Sequence, residues 1–270
     1  MKKALISVFT LSLILFLAAC GSSEENASNS EGSSDNKNLY ESIQEDGKIL
    51  IGTEGTYPPF TFHNDEGELT GFDVDIAREV AERIGVEPVF KETKWDSMFA
   101  GLNSERFDMI ANQVGMTPER KEKYEFSKPY TASSAVLVTH KDNTEIKSFE
   151  DLEGVPSAQS LTSNYADIAK EHGADVTPVD GFKESIQLIT SKRVEATIND
   201  RLSVLDFLNK QKDAPIKIVD REKNASQTAF AFREGSDKLI KAVNEALTEM
   251  KEDGTYLEIS KKWFGEDVSK

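Results

Sequence analysis

Apolar and polar positions alternate along this chain in two rhythms, one helical and one extended. From Asp73 the apolar positions Ile76, Ala77, Val80, Ala81 and Ile84 recur at helical spacing, and Gly85 stops the helix. Ahead of it, Lys48 to Thr53 reads as a short strand. Glu54 to Phe60 is the loop leaving that strand, where Pro58 and Pro59 fix the backbone and hold Tyr57 and Phe60 in place. Thr61-Phe62 and Glu68-Leu69 flank the polar turn Asn64 to Gly67, a hairpin pattern. Glu87 to Phe90 reads as a strand, a helix carries Met98, Phe99 and Leu102, and Phe107 to Ala111 is the next strand. Ala132 to Thr139 is one long β-prone run. After it the alternation restarts, with strands at Ser157 to Gln159, Val176 to Val179 and Val194 to Ile198, and helices at Asn164 to His172 and Phe182 to Lys192. Thr228 to Phe232 is a last strand, followed by helices at Ser236 to Asp253 and Thr255 to Phe264. The pattern predicts an α/β chain with mainly parallel sheets covered by helices, and the restart suggests a second lobe.

An internal echo accompanies that restart. Leu102 to Gln113 aligns with Ile189 to Asp200: a serine, an arginine and an asparagine are identical, and apolar and acidic positions correspond. It is either a duplicated unit or a chance similarity of two helix-turn-strand pieces. A duplication would give each lobe a strand ending in a polar pair, Asn112-Gln113 and Asn199-Asp200.

The stretch from Ile110 to Arg120 carries the first candidate chemistry. Apolar residues end at Asn112 and Gln113, Gly115 follows, and Thr117-Pro118 suits an N-cap and first helical position, with Arg120 in the first turn. Backbone N–H groups and a guanidinium at a strand mouth suit a carboxylate. An ordinary turn with a solvated arginine is the alternative.

Composition narrows the function. At 270 residues the chain has room for one large or two modest domains. A net charge of −16 argues against nucleic acid and against adhesion to anionic lipid through a basic surface. One cysteine, Cys20, excludes an intramolecular disulfide. Lys2-Lys3, an apolar run from Ala4 to Phe16 and then Leu17-Ala18-Ala19-Cys20-Gly21 describe a secretory signal too short for a confident membrane span. Leu-Ala-Ala-Cys resembles the lipobox of bacterial lipoproteins, which implies that residues 1–19 are removed and Cys20 is lipidated. Loss of Lys2 and Lys3 takes the charge from −16 to −18. Residues 20–38 then form a tether: Gly21 to Asn38 contains no large apolar residue, and 18 flexible residues reach roughly 20–25 Å.

A broader resemblance rests on Ile51-Gly52-Thr53-Glu54, Tyr57-Pro58-Pro59-Phe60, Gly71 to Ala77, Gly115-Met116-Thr117 with Glu119-Arg120, Phe126 to Tyr130 and Asp253 to Tyr256. Together they resemble the polar amino-acid-binding proteins of ABC importers, from Leu39 to Phe264. Ser157 to Tyr165 is most similar to the L-cystine-binding lipoproteins. The resemblance implies a two-lobed periplasmic-binding-protein-like fold (type II) with two crossovers, near Ser133–Val136 and Ser226–Ala229. Lobe 1 is then discontinuous, 39–134 and 229–270, and lobe 2 is 135–228. It also implies roles: Arg120 clamps the ligand's α-carboxylate, Thr162, Ser163 and Asn164 offer a helix start to the same group, and Asp200 takes the α-ammonium. Tyr57 and Trp95 cover the ligand, while Asn112, Gln113 and Gly115 form the loop touching it. Glu54 stands where many relatives carry aspartate and is expected at the distal pocket. Gly115 replaces a hydroxyl used by several relatives.

The expected chemistry is binding without turnover. No cofactor or metal is expected, the ligand is an amino acid, L-cystine first, and the partners are a membrane permease and, through the lipid, the outer face of the cytoplasmic membrane. A monomer is expected. The rival class is an extracytoplasmic dehydratase of prephenate-like acids on the same fold. His63, His140 and His172 lie away from the expected site, and no metal-ligand spacing or Ser-His-Asp set is evident. A sensor module is a further alternative, for which no signalling segment is evident.

Overall fold

A computed structural model describes residues 38–270; the expectations for the signal sequence, Cys20 and the tether up to residue 37 lie outside the described residues. The two rhythms become two main sheets. The first runs in the order Glu87–Glu92, Lys48–Thr53, Met109–Gly115, Ser226–Phe232 and Glu125–Phe126, with Thr131–Ser133 also paired to Ser226–Phe232. Its first three strands are parallel, and Ser226–Phe232 enters antiparallel. The second sheet has the order Asp175–Pro178, Pro156–Gln159, Ala196–Asp200, Ala135–His140 and Ile216–Arg221. A small third sheet contains the expected hairpin, Thr61–His63 against Leu69–Thr70, joined by Thr56–Tyr57.

The helix expected from Asp73 spans Phe72–Arg83 and buries Ile76, Ala77, Val80 and Ala81; Gly85, at φ +79°, turns the chain out of it. Helices at Asn164–Glu171, Phe182–Thr190, Asp237–Asp253 and Thr255–Phe264 agree with the apolar spacing to within about two residues. Phe107 is sealed between two glycines. A Cβ on Gly52 would stand 2.5 Å from its ring and one on Gly101 2.7 Å away, so only glycine admits the contact.

The long β-prone run is two strands. Thr131–Ser133 pairs in the first sheet and Ala135–His140 in the second, with Ser134 between them. This is the first crossing between lobes. The second runs through 222–225, ahead of the expected 226–229, because Ser226, Gln227 and Thr228 already pair with Ser133, Ala132 and Thr131. Among the described residues, the longer elements outside the periodicity reading are helices Leu39–Asp46 and Arg201–Lys210 and strand Ile216–Arg221; the two-residue strands Thr56–Tyr57 and Glu125–Phe126 lie outside it too. The second helix buries only Leu202, Ser203 and Val204 on a weakly sided surface, and the longer strand is interrupted by a register slip between Ile218 and Asp220. In both, the period that would reveal the element is blunted.

Candidate functional site

Both sheets send strand ends toward the space between the lobes. Lys48–Thr53 leads into Glu54 beside Met109–Gly115, and there Glu54 and Asn112 interlock. The Glu54 backbone N–H donates to Asn112 Oδ1 at 2.8 Å, and Asn112 Nδ2 donates to Glu54 Oε2 at 2.6 Å. Burial pushes the Glu54 carboxyl up to about 7. The Tyr57 hydroxyl donates across the cleft to Asn199 Oδ1 at 2.7 Å, and its ring lies 5.3 Å from Phe60 and 6.4 Å from Phe182. A cis bond joins Pro58 and Pro59.

Arg120 sits in the one-turn helix Pro118–Lys121, whose N-cap Thr117 accepts the Arg120 backbone N–H. The expected cradle of free N–H groups is thinner than the sequence suggests, because Met116 N bonds Gln227 O, Thr117 N bonds Gly115 O, Pro118 has no N–H and Arg120 N is taken by the cap. The guanidinium is buried over two rings, 5.1 Å from the Trp95 centroid and 5.3 Å from Phe99. It donates from Nη1 to the Gly115 carbonyl and from Nη2 to the Thr162 carbonyl across the cleft, each at 3.1 Å. Among the described residues no carboxylate forms an ion pair with it, and burial lowers its pKa. Three of its five N–H donors remain for another acceptor.

The opposite wall starts at the helix Asn164–Glu171. Ser163 caps it, accepting from Ala166 N at 3.1 Å and donating to the Ser160 carbonyl at 2.8 Å. Thr162 is held from the first lobe, both its N–H and its hydroxyl donating to Asp96 Oδ1 at 3.0 and 2.8 Å. A Cβ on Gly115 would stand 3.4 Å from Asn164 Oδ1, so a side chain there would press on the facing helix start. Asp200 caps the helix Arg201–Lys210 through Leu202 N at 2.7 Å and accepts from Ser133 Oγ at 3.0 Å. Tyr165 reaches its other oxygen at 3.5 Å, and burial pushes Asp200 up to about 6.

A small cavity lies between these walls. Of the expected residues, Glu54, Tyr57, Trp95, Asn112, Gln113, Ser163 and Asn164 line it. Arg120 and Thr162 line a neighbouring crevice, Gly115 lies against Arg120 and Asn164, and Asp200 is buried behind Tyr165. Gln113 touches the cavity, yet its amide is engaged elsewhere, by Asp73, Thr131 and Thr228. Trp95 Nε1 is buried without a hydrogen-bond partner. The expected site omits Gln159, Ser160, Tyr165, Gly181, Phe182, Ser185 and Asn199, which also line the cavity. Gln159, at the end of an expected strand, and Tyr165, one residue into the helix that Ser163 caps, carried a usable signal; Phe182 and Ser185 carried none. Among the described residues no cluster of His, Cys, Asp or Glu fits a metal ion. His63 pairs with Glu92, and His172 stacks on Phe149, both away from the cavity.

Comparison with known proteins places this geometry. The model for bacterial extracellular solute-binding proteins, family 3, matches residues 49–266. The L-cystine-binding protein TcyA of Bacillus subtilis is 51% identical over 271 residues, covering 100% of both chains. The L-cystine solute receptor of Neisseria gonorrhoeae, in an unliganded open conformation, is 47% identical and covers 87% of this chain and 100% of its own, with a TM-score of 0.58. A substrate-binding protein of an ABC uptake transporter from Streptococcus pneumoniae with bound histidine is only 29% identical, covering 85% and 97%, yet its TM-score is 0.79. In this chain the two sides of the cleft are joined by the hydrogen bonds of Tyr57, Arg120 and Asp96. Two lobes, two crossings and polar strand ends facing a cavity are what a binding protein needs, and with the match over almost the whole described chain they make this a member of family 3 of the bacterial extracellular solute-binding proteins.

Proposed function

We propose that this chain is the amino-acid receptor of an ABC importer, that L-cystine is its preferred ligand, and that Cys20 carries a lipid holding a monomer at the outer face of the cytoplasmic membrane after residues 1–19 are removed. Lobe 1 comprises 39–134 and the segment from Ser226 onward, and lobe 2 the stretch between. The observation that carries the reading is Arg120: a buried cation, flanked by two aromatic rings, with unused donors and, among the described residues, no carboxylate in ion-pair contact with it. A buried charge is costly unless it is paired, and a planar fork pairs best with a carboxylate.

A zwitterion needs its second charge met as well. Asp200 lies in the other lobe and among the described residues forms no ion pair, so it suits the ligand's α-ammonium once the Tyr165 hydroxyl that now covers it moves aside. Contacts made by both lobes at once give the closed state its advantage over the open one. Asn112, Gly115, Thr162, Ser163 and Asn164 shape the space between those charges, Tyr57 and Trp95 wall it, and Glu54 faces its far end. Cystine is favoured over other amino acids by the 51% identity to a cystine-binding relative.

The test is a thermal-shift screen of the common amino acids and cystine, followed by calorimetry. Cystine is expected to give the largest stabilisation, because a ligand of the folded state raises apparent stability by mass action. Arg120→Ala is expected to retain the fold and lose at least about 100-fold in affinity, the scale for a truncated partner of a buried charge pair. No shift with cystine removes the cystine assignment; near wild-type affinity in the alanine variant removes the clamp.

A further inference from the structure

Asp73 is fully buried in the first turn of the helix Phe72–Arg83, and no cation among the described residues pairs with it. Both of its oxygens serve Gln113, and the buried Tyr130 hydroxyl also faces the carboxylate. Oδ2 accepts the Gln113 backbone N–H and Oδ1 the Gln113 side-chain amide, each at 2.6 Å. Gln113 needs such a hold: at φ +49° it stands in the left-handed region, which side-chain-bearing residues avoid. The strand pairing shows why. Register slips between Ala229 and Ala231 of the neighbouring strand, so residues 111–113 bulge opposite Phe230. A bulge re-aims a side chain, and here it turns Asn112 toward Glu54 and the cavity.

The remaining polar atoms of Gln113 lead to the crossings. Thr228 Oγ1 donates to Gln113 Oε1 at 3.0 Å, and Gln113 Nε2 donates to Thr131 Oγ1 at 3.3 Å. Thr131 and Thr228 are paired partners in the two strands from which the chain passes between lobes. We infer that Asp73 is a positioning residue for ligand binding: through Gln113 it holds the bulged loop of the cleft in its left-handed turn and ties that loop to Thr131 and Thr228 at the hinge. A carboxylate suits this place because it offers two acceptors and no donor to two converging N–H groups.

This rests on the receptor reading above, and the experiment separates the two. Calorimetry with L-cystine and hydrogen exchange of residues 109–116 without ligand would be run on the full chain and on Asp73→Ala, Asp73→Asn and Thr228→Val, with urea unfolding as the stability readout. Asp73→Ala is expected to bind about tenfold more weakly per folded molecule, with faster exchange in that segment, as for a lost acceptor to a buried N–H. Asp73→Asn, which keeps one acceptor but sets an NH2 against the other Gln113 N–H, should recover part of the affinity lost in Asp73→Ala, a graded effect that lost stability alone would not produce. Thr228→Val should bind several-fold more weakly although it removes only the hinge end of the link. A folded Asp73→Ala with wild-type affinity and wild-type exchange overturns the inference. Should that variant not fold, wild-type affinity in Thr228→Val overturns it. Wild-type protein that binds no cystine while Asp73→Ala still loosens 109–116 sinks the cystine reading and leaves the positioning role standing.

Discussion

At the scale of single residues, the cleft holds carboxyl groups that burial makes reluctant to ionise. Asp200 is pushed up to about 6 and Asp73 and Glu54 to about 7, from ordinary values of 3.8, 3.8 and 4.5. Between those limits the folded chain holds protons that the unfolded chain has released, so these groups favour the folded state at low pH and that advantage is lost as pH rises toward 7. Ligand reverses the preference at Asp200, because an α-ammonium beside it favours the charged form. Binding near pH 6 is therefore expected to release protons, and affinity to fall below that pH. Calorimetry in two buffers of different ionisation enthalpy reads both effects; equal apparent enthalpies would count against Asp200 as the ammonium partner. The sequence marks Arg120 and Asp200 through family resemblance. Asp73 it marks only as a helix start within a family motif, because the turn that gives it a role is forty residues away in the chain.

Among elements, the internal echo has a structural counterpart. Glu105 and Lys192 are both left-handed, at φ +59° and +55°, and occupy the same place in the two aligned segments. Arg106 N bonds Gly101 O and Arg193 N bonds Leu188 O, again at matching positions, each ending a helix in the same way before a strand that runs to the cleft. This much was legible because helix stops and apolar strands are local. The broken run at Ser134 was not, since only pairing with two different sheets distinguishes one strand from two. The helix start at Ser163 offers a test at this scale. Ser163→Ala should cost about 1 kcal/mol of stability through the lost cap and weaken ligand binding by loosening Asn164; urea unfolding with calorimetry would show both, and unchanged affinity would detach the cap from the site.

For the molecule as a whole, contacts outside the cavity also join the lobes. Asp96 accepts twice from Thr162, and Lys94 pairs with Asp180 at 2.7 Å. The exposed ion pair contributes little. Asp96 contributes more, since two hydrogen bonds end on one oxygen. Asp96→Ala is expected to weaken every ligand by the same factor, about two- to tenfold, while leaving the ratio between two ligands unchanged. A change in that ratio would mean that Asp96 touches ligand rather than biasing closure. Such long-range contacts leave no periodic trace in the sequence, which is why the two lobes were foreseeable and their latch was not.

The strand Ser226–Phe232 lies inside the first sheet, between partners made more than a hundred residues earlier, Met109–Gly115 and Glu125–Phe126. During synthesis that sheet lacks its inner strand until Phe232 has emerged, whereas every strand of the second sheet has by then been made. Pairings so distant in the chain form late. The larger of the two main sheets is therefore the last part of the described chain able to close.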